Sequence, residues 1–130
     1  MKYYSIGEVA AKFNIPESTL RYYEKKGLIP QSERDEAGRR LFSEDHIGLL
    51  GTVICLKNTN MSISRIKQYI DWVVEGDATV ELRLKMMRTH KQEVLTEISL
   101  MTEAIGGIDW KIDRYVKRLK EKNNEGEESR

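Results

Sequence analysis

Residues 16–44 read PESTLRYYEKKGLIPQSERDEAGRRLFSE, and the architecture of the whole chain turns on how this segment folds. Pro16 suits the first position of a helix, where a missing N–H costs nothing, and Gly27 is a natural stop. By the i, i+3, i+4 rule Ser18, Arg21, Tyr22 and Lys25 share one polar face, while Leu20 and Tyr23 turn inward. Upstream, Ser5 and Glu8 form a capping-box pair, and Ile6, Val9, Ala10 and Phe13 recur at helical spacing, which predicts a first helix from about Ser5 to Phe13. Asn14-Ile15 supplies a tight turn between the two. Two short helices joined in this way form a helix-turn-helix. The alternative at this point is a small helical hairpin whose polar face is merely solvated.

Beyond Gly27, Pro30 ends the helical region, and Gly38 stands among polar residues just before Arg39-Arg40-Leu41-Phe42. This predicts a small β-hairpin, a wing, with Gly38 in or beside its turn. Side chains alternate in a strand, so at least one of Arg39 and Arg40 faces solvent. Residues 1–42 hold eight Lys plus Arg against six Asp plus Glu, a surplus too small to argue from. Placement is more informative. Arg21, Lys25, Arg39 and Arg40 flank the second helix, where a phosphate backbone would lie, whereas Glu33, Asp35 and Glu36 gather at the hairpin tip.

Composition bounds the remaining possibilities. With 130 residues and a formal net charge of +1, the chain fits one domain or a small domain with a helical appendage, and its overall balance points to no particular partner. The start, MKYYSIGEVA, lacks the apolar run of a signal peptide, and no window approaches a membrane span, so no membrane partner and a cytoplasmic location are expected. The single cysteine, Cys55, rules out an intramolecular disulfide and a cysteine-cluster zinc site, and no cofactor or metal is expected. His46 and His90 have no nucleophile–base spacing and no glycine-rich phosphate loop beside them. They read as solvated or packing residues, with no catalytic residue in the chain and no enzyme.

Ser43 caps a third helix carrying Ile47, Leu50, Val53 and Ile54 and ending near NTNMS. Ser62 caps a fourth, with Ile63, Ile66, Ile70 and Val73 or Val74 inward, which stops near Gly76. From Val80 the pattern changes. Positions 80, 84, 87, 91, 94, 98, 101, 105, 108, 112, 115 and 119 alternate steps of four and three, and only Lys91 interrupts an apolar seam that includes Leu84, Met87, Val94, Ile98, Met101, Ile105, Ile108 and Ile112. At about 1.5 Å per residue this is a helix of roughly 60 Å, too long to bury its stripe on so small a head, so its simplest partner is a second copy. Gly106-Gly107 lies off the seam and marks a candidate bend or break, and KEKNNEGEESR reads as a disordered tail. The expected fold is mainly α with a small β-hairpin: a winged helix-turn-helix head over 1–76, a coiled-coil dimerisation helix over 77–120 and a tail over 121–130.

The segment YSIGEVAAKFNIPESTLRYYEKKGLIPQSERDEAGRRLFSEDHIGLL resembles the N-terminal region of the MerR family of bacterial transcriptional regulators, most specifically in Leu20 to Ile29 and in the downstream GRRLFSE. The resemblance implies a homodimer through an antiparallel coiled coil that binds double-stranded promoter DNA. It further implies that Ser18, Thr19, Arg21, Tyr22 and Lys25 lie in the major groove or on its flanking phosphates, Tyr23 on phosphate or in the adjoining core, and Arg39 and Arg40 on the wing. The amino end of the fourth helix, around Ser62, would add a backbone contact, because its free N–H groups suit an anion. It implies a promoter whose overlong spacer is bent and untwisted to bring two RNA polymerase recognition elements into register. A coiled-coil adaptor with a protein-binding head is the other reading of the seam, but it leaves the Arg and Tyr placement unexplained.

Metal-sensing members carry cysteines at both ends of the dimerisation helix, and none stands there; a drug-binding domain after the coil is not expected either. VICLKNTNMSISRIKQY instead resembles the branch that responds to aldehydes and related electrophiles, with a lone cysteine late in the third helix, here Cys55. On a helical wheel Cys55 stands at the edge of the apolar stripe, on the side of Gly48 and Gly51, which would leave room for a small electrophile. Against this, the helix C-terminus disfavours a thiolate, so activation would need Arg83, Lys85, Arg88 or His90. The competing reading is a buried structural cysteine.

Overall fold

The computed structural model describes residues 2–128 and contains, in chain order, β1 (Tyr3–Tyr4), α1 (Ile6–Phe13), α2 (Glu17–Lys25), β2 (Glu33–Arg34), β3 (Arg40–Ser43), α3 (Glu44–Asn58), α4 (Ile63–Glu75), a 3-10 turn (Asp77–Thr79) and α5 (Val80–Glu128). The chain divides into two compact units, one ending at Arg88 and one beginning at Thr89.

The predicted capping box is formed. Glu8 N–H donates to Ser5 Oγ at 3.1 Å and Ser5 N–H to the Glu8 carboxylate at 3.1 Å. Asn14 ends α1 in the left-handed region at φ 53°, and Ile15 N–H turns back to the Ala10 carbonyl at 3.0 Å, so the tight turn falls where expected. Pro16 caps α2 from just outside rather than occupying its first turn. Gly27 closes α2 at φ 73°, a conformation that L side chains rarely adopt, and an added Cβ would stand 3.2 Å from Lys67 Cε.

The wing differs in one respect from the hairpin predicted. β2 and β3 pair antiparallel, with Arg34 opposite Arg40, and Gly38 sits in the connecting turn at φ 78°. A third strand, β1, adds itself to the other edge of β3, with Tyr4 opposite Phe42. Two residues are too few to show a period of two, which is why the sequence hides this strand. Ser43 caps α3 as expected, but the reciprocal partner is His46: its N–H donates to Ser43 Oγ at 3.2 Å and its Nδ1 accepts from Ser43 N–H at 3.4 Å.

The core of the head joins Val9 and Ala10 of α1, Leu20 and Tyr23 of α2, Leu28, Ile29, Phe42, and Leu50, Val53, Leu56, Met61, Ile66 and Ile70. Leu56 enters this core where Ile54 was expected; Ile54 and Ile47 pack against it only in part, and Val74 is 68% exposed. The head also extends past Gly76. Buried Thr79 donates its hydroxyl back towards the end of α4 and accepts from Arg83 Nε at 3.1 Å, Arg83 Nη2 donates to the Gly76 carbonyl at 2.9 Å, and Met86 and Met87 pack on the core. Met87, counted with the coiled-coil seam, is therefore partly covered by the head's own core.

α5 is one continuous helix. The helix passes through Gly106-Gly107 without a break, and it continues to Glu128 instead of fraying at residue 121; Ser129 and Arg130 lie outside the described residues. Nucleation is the costly step of helix formation, and extending a helix already formed into Lys- and Glu-rich sequence is nearly free.

Leu20 has no solvent exposure and lies at the junction of α1, α2 and the sheet. Leu20→Ala should lower unfolding stability by about 2–5 kcal/mol in urea titration; a loss below 1 kcal/mol would show that the cavity collapses and that this junction is loosely packed.

Candidate nucleic-acid interface

Burying Leu20 and Tyr23 turns the opposite side of α2 outward. Ser18, Arg21, Tyr22 and Lys25 are exposed and Thr19 is half-buried. Tyr23 is 7% exposed and packs in the core; burial, with the neighbouring Tyr22, pushes its pKa up. Arg21 is held along the helix by Glu17 at 3.4 Å, and the Lys26 ammonium lies 5.9 Å from the Tyr22 ring centroid.

The two wing arginines diverge as strand alternation requires. The Arg39 side chain is 79% exposed and that of Arg40 only 23%. Arg40 turns toward α2, where its Nε lies 3.4 Å from Glu24 Oε1; Glu24 also accepts from Ser32 Oγ at 3.0 Å. Together Arg21, Lys25 and Arg40 line a cleft of about 340 Å³ with Glu24, Gln31 and Arg34. Gln31, Arg34 and Glu24 were not singled out in the sequence. The hairpin register that sets Arg34 opposite Arg40 would have exposed the first cation, since like charges facing across a ladder need outside partners. Arg34 finds one in the Gly38 carbonyl, 2.7 Å from Nη1. Ser62 lies apart from this cleft, exposed at the N-cap of α4, where its Oγ accepts from Arg65 N–H at 3.3 Å.

Asp35 organises the wing tip rather than merely collecting charge there. Its Oδ1 accepts the backbone N–H groups of Ala37 and Arg39, each at 2.9 Å, and its Oδ2 accepts Arg39 Nε at 3.0 Å. These bonds, led by that from the Arg39 backbone, hold its pKa below the usual carboxylate value. At the opposite edge, a hydrogen bond to Glu33 and the charge of that carboxylate raise the pKa of Tyr3.

Cys55 is exposed on α3 in the single chain. A Cβ on Gly48 would meet nothing within 4 Å, whereas one on Gly51 would touch Phe13 at 3.8 Å; the room expected beside both glycines exists only at Gly48. On α5, Leu84 is 46% exposed, Val94 is half-buried, and Ile98, Met101, Ile105, Ile108 and Ile112 are 52–68% exposed. Among the described residues no group of three or more His, Cys, Asp and Glu is placed to hold a metal ion, and no helix is long and apolar enough to cross a membrane.

A helix-turn-helix with an arginine-bearing wing and a cationic cleft between them defines a DNA-binding transcriptional regulator. Residues 4–71 match the MerR HTH family regulatory protein model. An uncharacterised HTH-type transcriptional regulator of Haemophilus influenzae is 34% identical over 114 residues, covering 88% of this chain and 84% of that protein. Among solved structures, HiNmlR, a MerR family regulator lacking the sensor domain and bound to promoter DNA, aligns with TM-score 0.81 at 34% identity over 89% of this chain and 92% of its own. A MerR family transcriptional regulator from Bacillus thuringiensis aligns with TM-score 0.80 at 42% identity over 87% and 99%. The chain belongs to the MerR family of helix-turn-helix transcriptional regulators.

Because Asp35 has a lowered pKa, its contribution to the wing is present above its ordinary value of 3.8 and is lost as pH falls through the lower folded value. The amide shifts of Ala37 and Arg39 in NMR spectra should therefore follow a titration with a midpoint below 3.8; a midpoint at or above it would mean that Asp35 does not hold the tip.

Proposed function

We propose that two copies of this chain pair through α5 in antiparallel fashion, bind promoter DNA through α2 and the wing of each head, and regulate transcription by deforming that DNA. In this reading Ser18, Thr19, Arg21, Tyr22 and Lys25 read the major groove or grip its phosphates. Arg39 and Arg40 reach the backbone from the wing, and the amino end of α4 at Ser62 adds a further phosphate contact. Phosphate contacts on either side of an overlong spacer supply the energy to bend and untwist it, so that RNA polymerase finds both of its elements in register. The protein acts in the cytoplasm as a regulator and carries out no catalysis of its own.

The observation that carries this reading is the apolar row Ile98, Met101, Ile105, Ile108 and Ile112, more than half exposed along one side of a single helix beyond the head. Such a row at heptad spacing matches the seam of a coiled coil. The promoter-bound state of HiNmlR, to which this chain is similar, supports the DNA part. Cys55, the sole thiol and an exposed one, is the proposed switch: an aldehyde or an oxidant would modify it and change how the heads sit on DNA.

Replacing both Ile98 and Ile105 by Asp should convert a dimer into a monomer in sedimentation velocity and abolish operator binding, while the head keeps its fold; a surviving dimer would move the interface elsewhere. Transcription in vitro from the protein's own upstream promoter tests the switch, using wild type and Cys55→Ser with and without formaldehyde and with hydrogen peroxide. Wild type alone should respond. Identical behaviour of the two proteins would remove Cys55 from the mechanism and leave the DNA-binding reading standing.

A further inference from the structure

Glu24 is an acid in the middle of a cationic surface. Its side chain is only 7% exposed, and it receives one bond from each of two other segments: Ser32 Oγ at 3.0 Å, from the loop before β2, and Arg40 Nε at 3.4 Å, from β3. A carboxylate at the edge of a phosphate-binding cleft should weaken binding by simple repulsion, and burying it costs desolvation as well. Its geometry supplies a reason for its presence. Arginine carries five N–H donors in a rigid planar fork, so a guanidinium held by Nε keeps both Nη groups for another acceptor. The Arg40 side chain makes no other bond among the described residues and lines the cleft with Arg21, Lys25 and Arg34.

We propose that Glu24 is a positioning residue for the wing: it holds Arg40 by Nε and orients the two Nη groups toward a backbone phosphate, at a distance from α2 set by the Glu24 side chain. Arg39, 79% exposed and tied to Asp35 within its own turn, has no such tether to the reading helix. Arg40 is thus the wing cation whose position is registered to α2, and Arg39 the one registered only to the wing turn, through Asp35. This rests on the reading of the cleft as a phosphate site and adds to it the group that makes the site rigid.

Phosphate contacts are independent of sequence, so a 30-base-pair duplex of random sequence titrated at several NaCl concentrations suffices as the probe. Wild type should show a steep fall of log K with log[salt]. Glu24→Ala, although it removes a negative charge, should weaken binding about tenfold and reduce the slope by about one, as the loss of one phosphate contact does. In an Arg40→Ala background the same substitution should no longer weaken binding, leaving it unchanged or slightly tighter as the repulsion is removed, and Glu24→Gln, which keeps an acceptor for Nε, should restore most of the affinity. Arg40→Lys keeps the charge without the fork and should lose the same unit of slope; it decides the matter if circular dichroism shows Glu24→Ala to be unfolded. Tighter binding by Glu24→Ala, or a full slope in Arg40→Lys, overturns the proposal. A wild type with no salt-dependent binding would overturn the phosphate-cleft reading itself, and this proposal with it.

Discussion

What the head can present to a ligand depends on the burial of Leu20 and Tyr23. Once these two side chains are in the core, the 100° step of the helix leaves Arg21, Tyr22 and Lys25 no orientation except outward. The core residues that receive them, Val9 from α1 and Phe42 from β3, come from elements closed by their own local signals, the Ser5–Glu8 box and the Ser43 cap. Gly27 then reverses the chain, so that Leu28 and Ile29 return at once to the same core. The exposed face of α2 is thus the outer side of a packing solution, and Tyr23 lies on its inner side. Adjacent to Tyr22 and of the same type, it is turned into the core instead, and that burial raises its pKa.

The wing is governed by a second principle, in which buried or half-buried anions position cations. Three arginines in seven residues would repel one another on a short ribbon, and Arg34 and Arg40 face each other directly across it. The fold separates them with three different acceptors: the Gly38 carbonyl for Arg34, Asp35 for Arg39 and Glu24 for Arg40. A net count over the segment misses this, because two of the acids that lower the total charge, Asp35 and Glu24, also fix the direction of one cation each. An exposed pair such as Arg39–Asp35 adds little to stability, about 0–1 kcal/mol, so its consequence is geometric.

Where the sequence was legible, a local rule was sufficient. The capping serines, the left-handed turn at Asn14, the glycines at 27 and 38 and the alternation of Arg39 with Arg40 each involve residues within four of one another. What stayed hidden was set by partners far along the chain. β1 exists only because β3 offers an edge, Met86 and Met87 join the head only because Thr79 and Arg83 fold the start of α5 back onto α4, and Glu24 meets Arg40 across sixteen residues. His46 as the reciprocal cap of Ser43 lies within a local rule but outside its usual residue set, since Glu or Gln is the common choice. The seam on α5 was legible for a further reason: a 3.5-residue repeat needs no tertiary context to be seen, only length.

That length also bears on how tightly α5 can be held by a partner. Its central seam side chains are already half covered by their own helix, so completing their burial is worth about 1 kcal/mol each, against roughly 1.5–3 for a side chain buried from full exposure. Five such residues from each of two helices give on the order of 10 kcal/mol, which is comparable with the roughly 4–15 kcal/mol lost in translational and rotational freedom on association. Gly106 and Gly107 subtract about 1 kcal/mol of helix stability each within the same stretch. Pairing confined to Ile98–Ile112 would therefore be marginal. In the proposed pairing the further area comes from both ends of the seam, from Leu84 and Val94 before this stretch and from Tyr115 and Leu119, more than half exposed, after it.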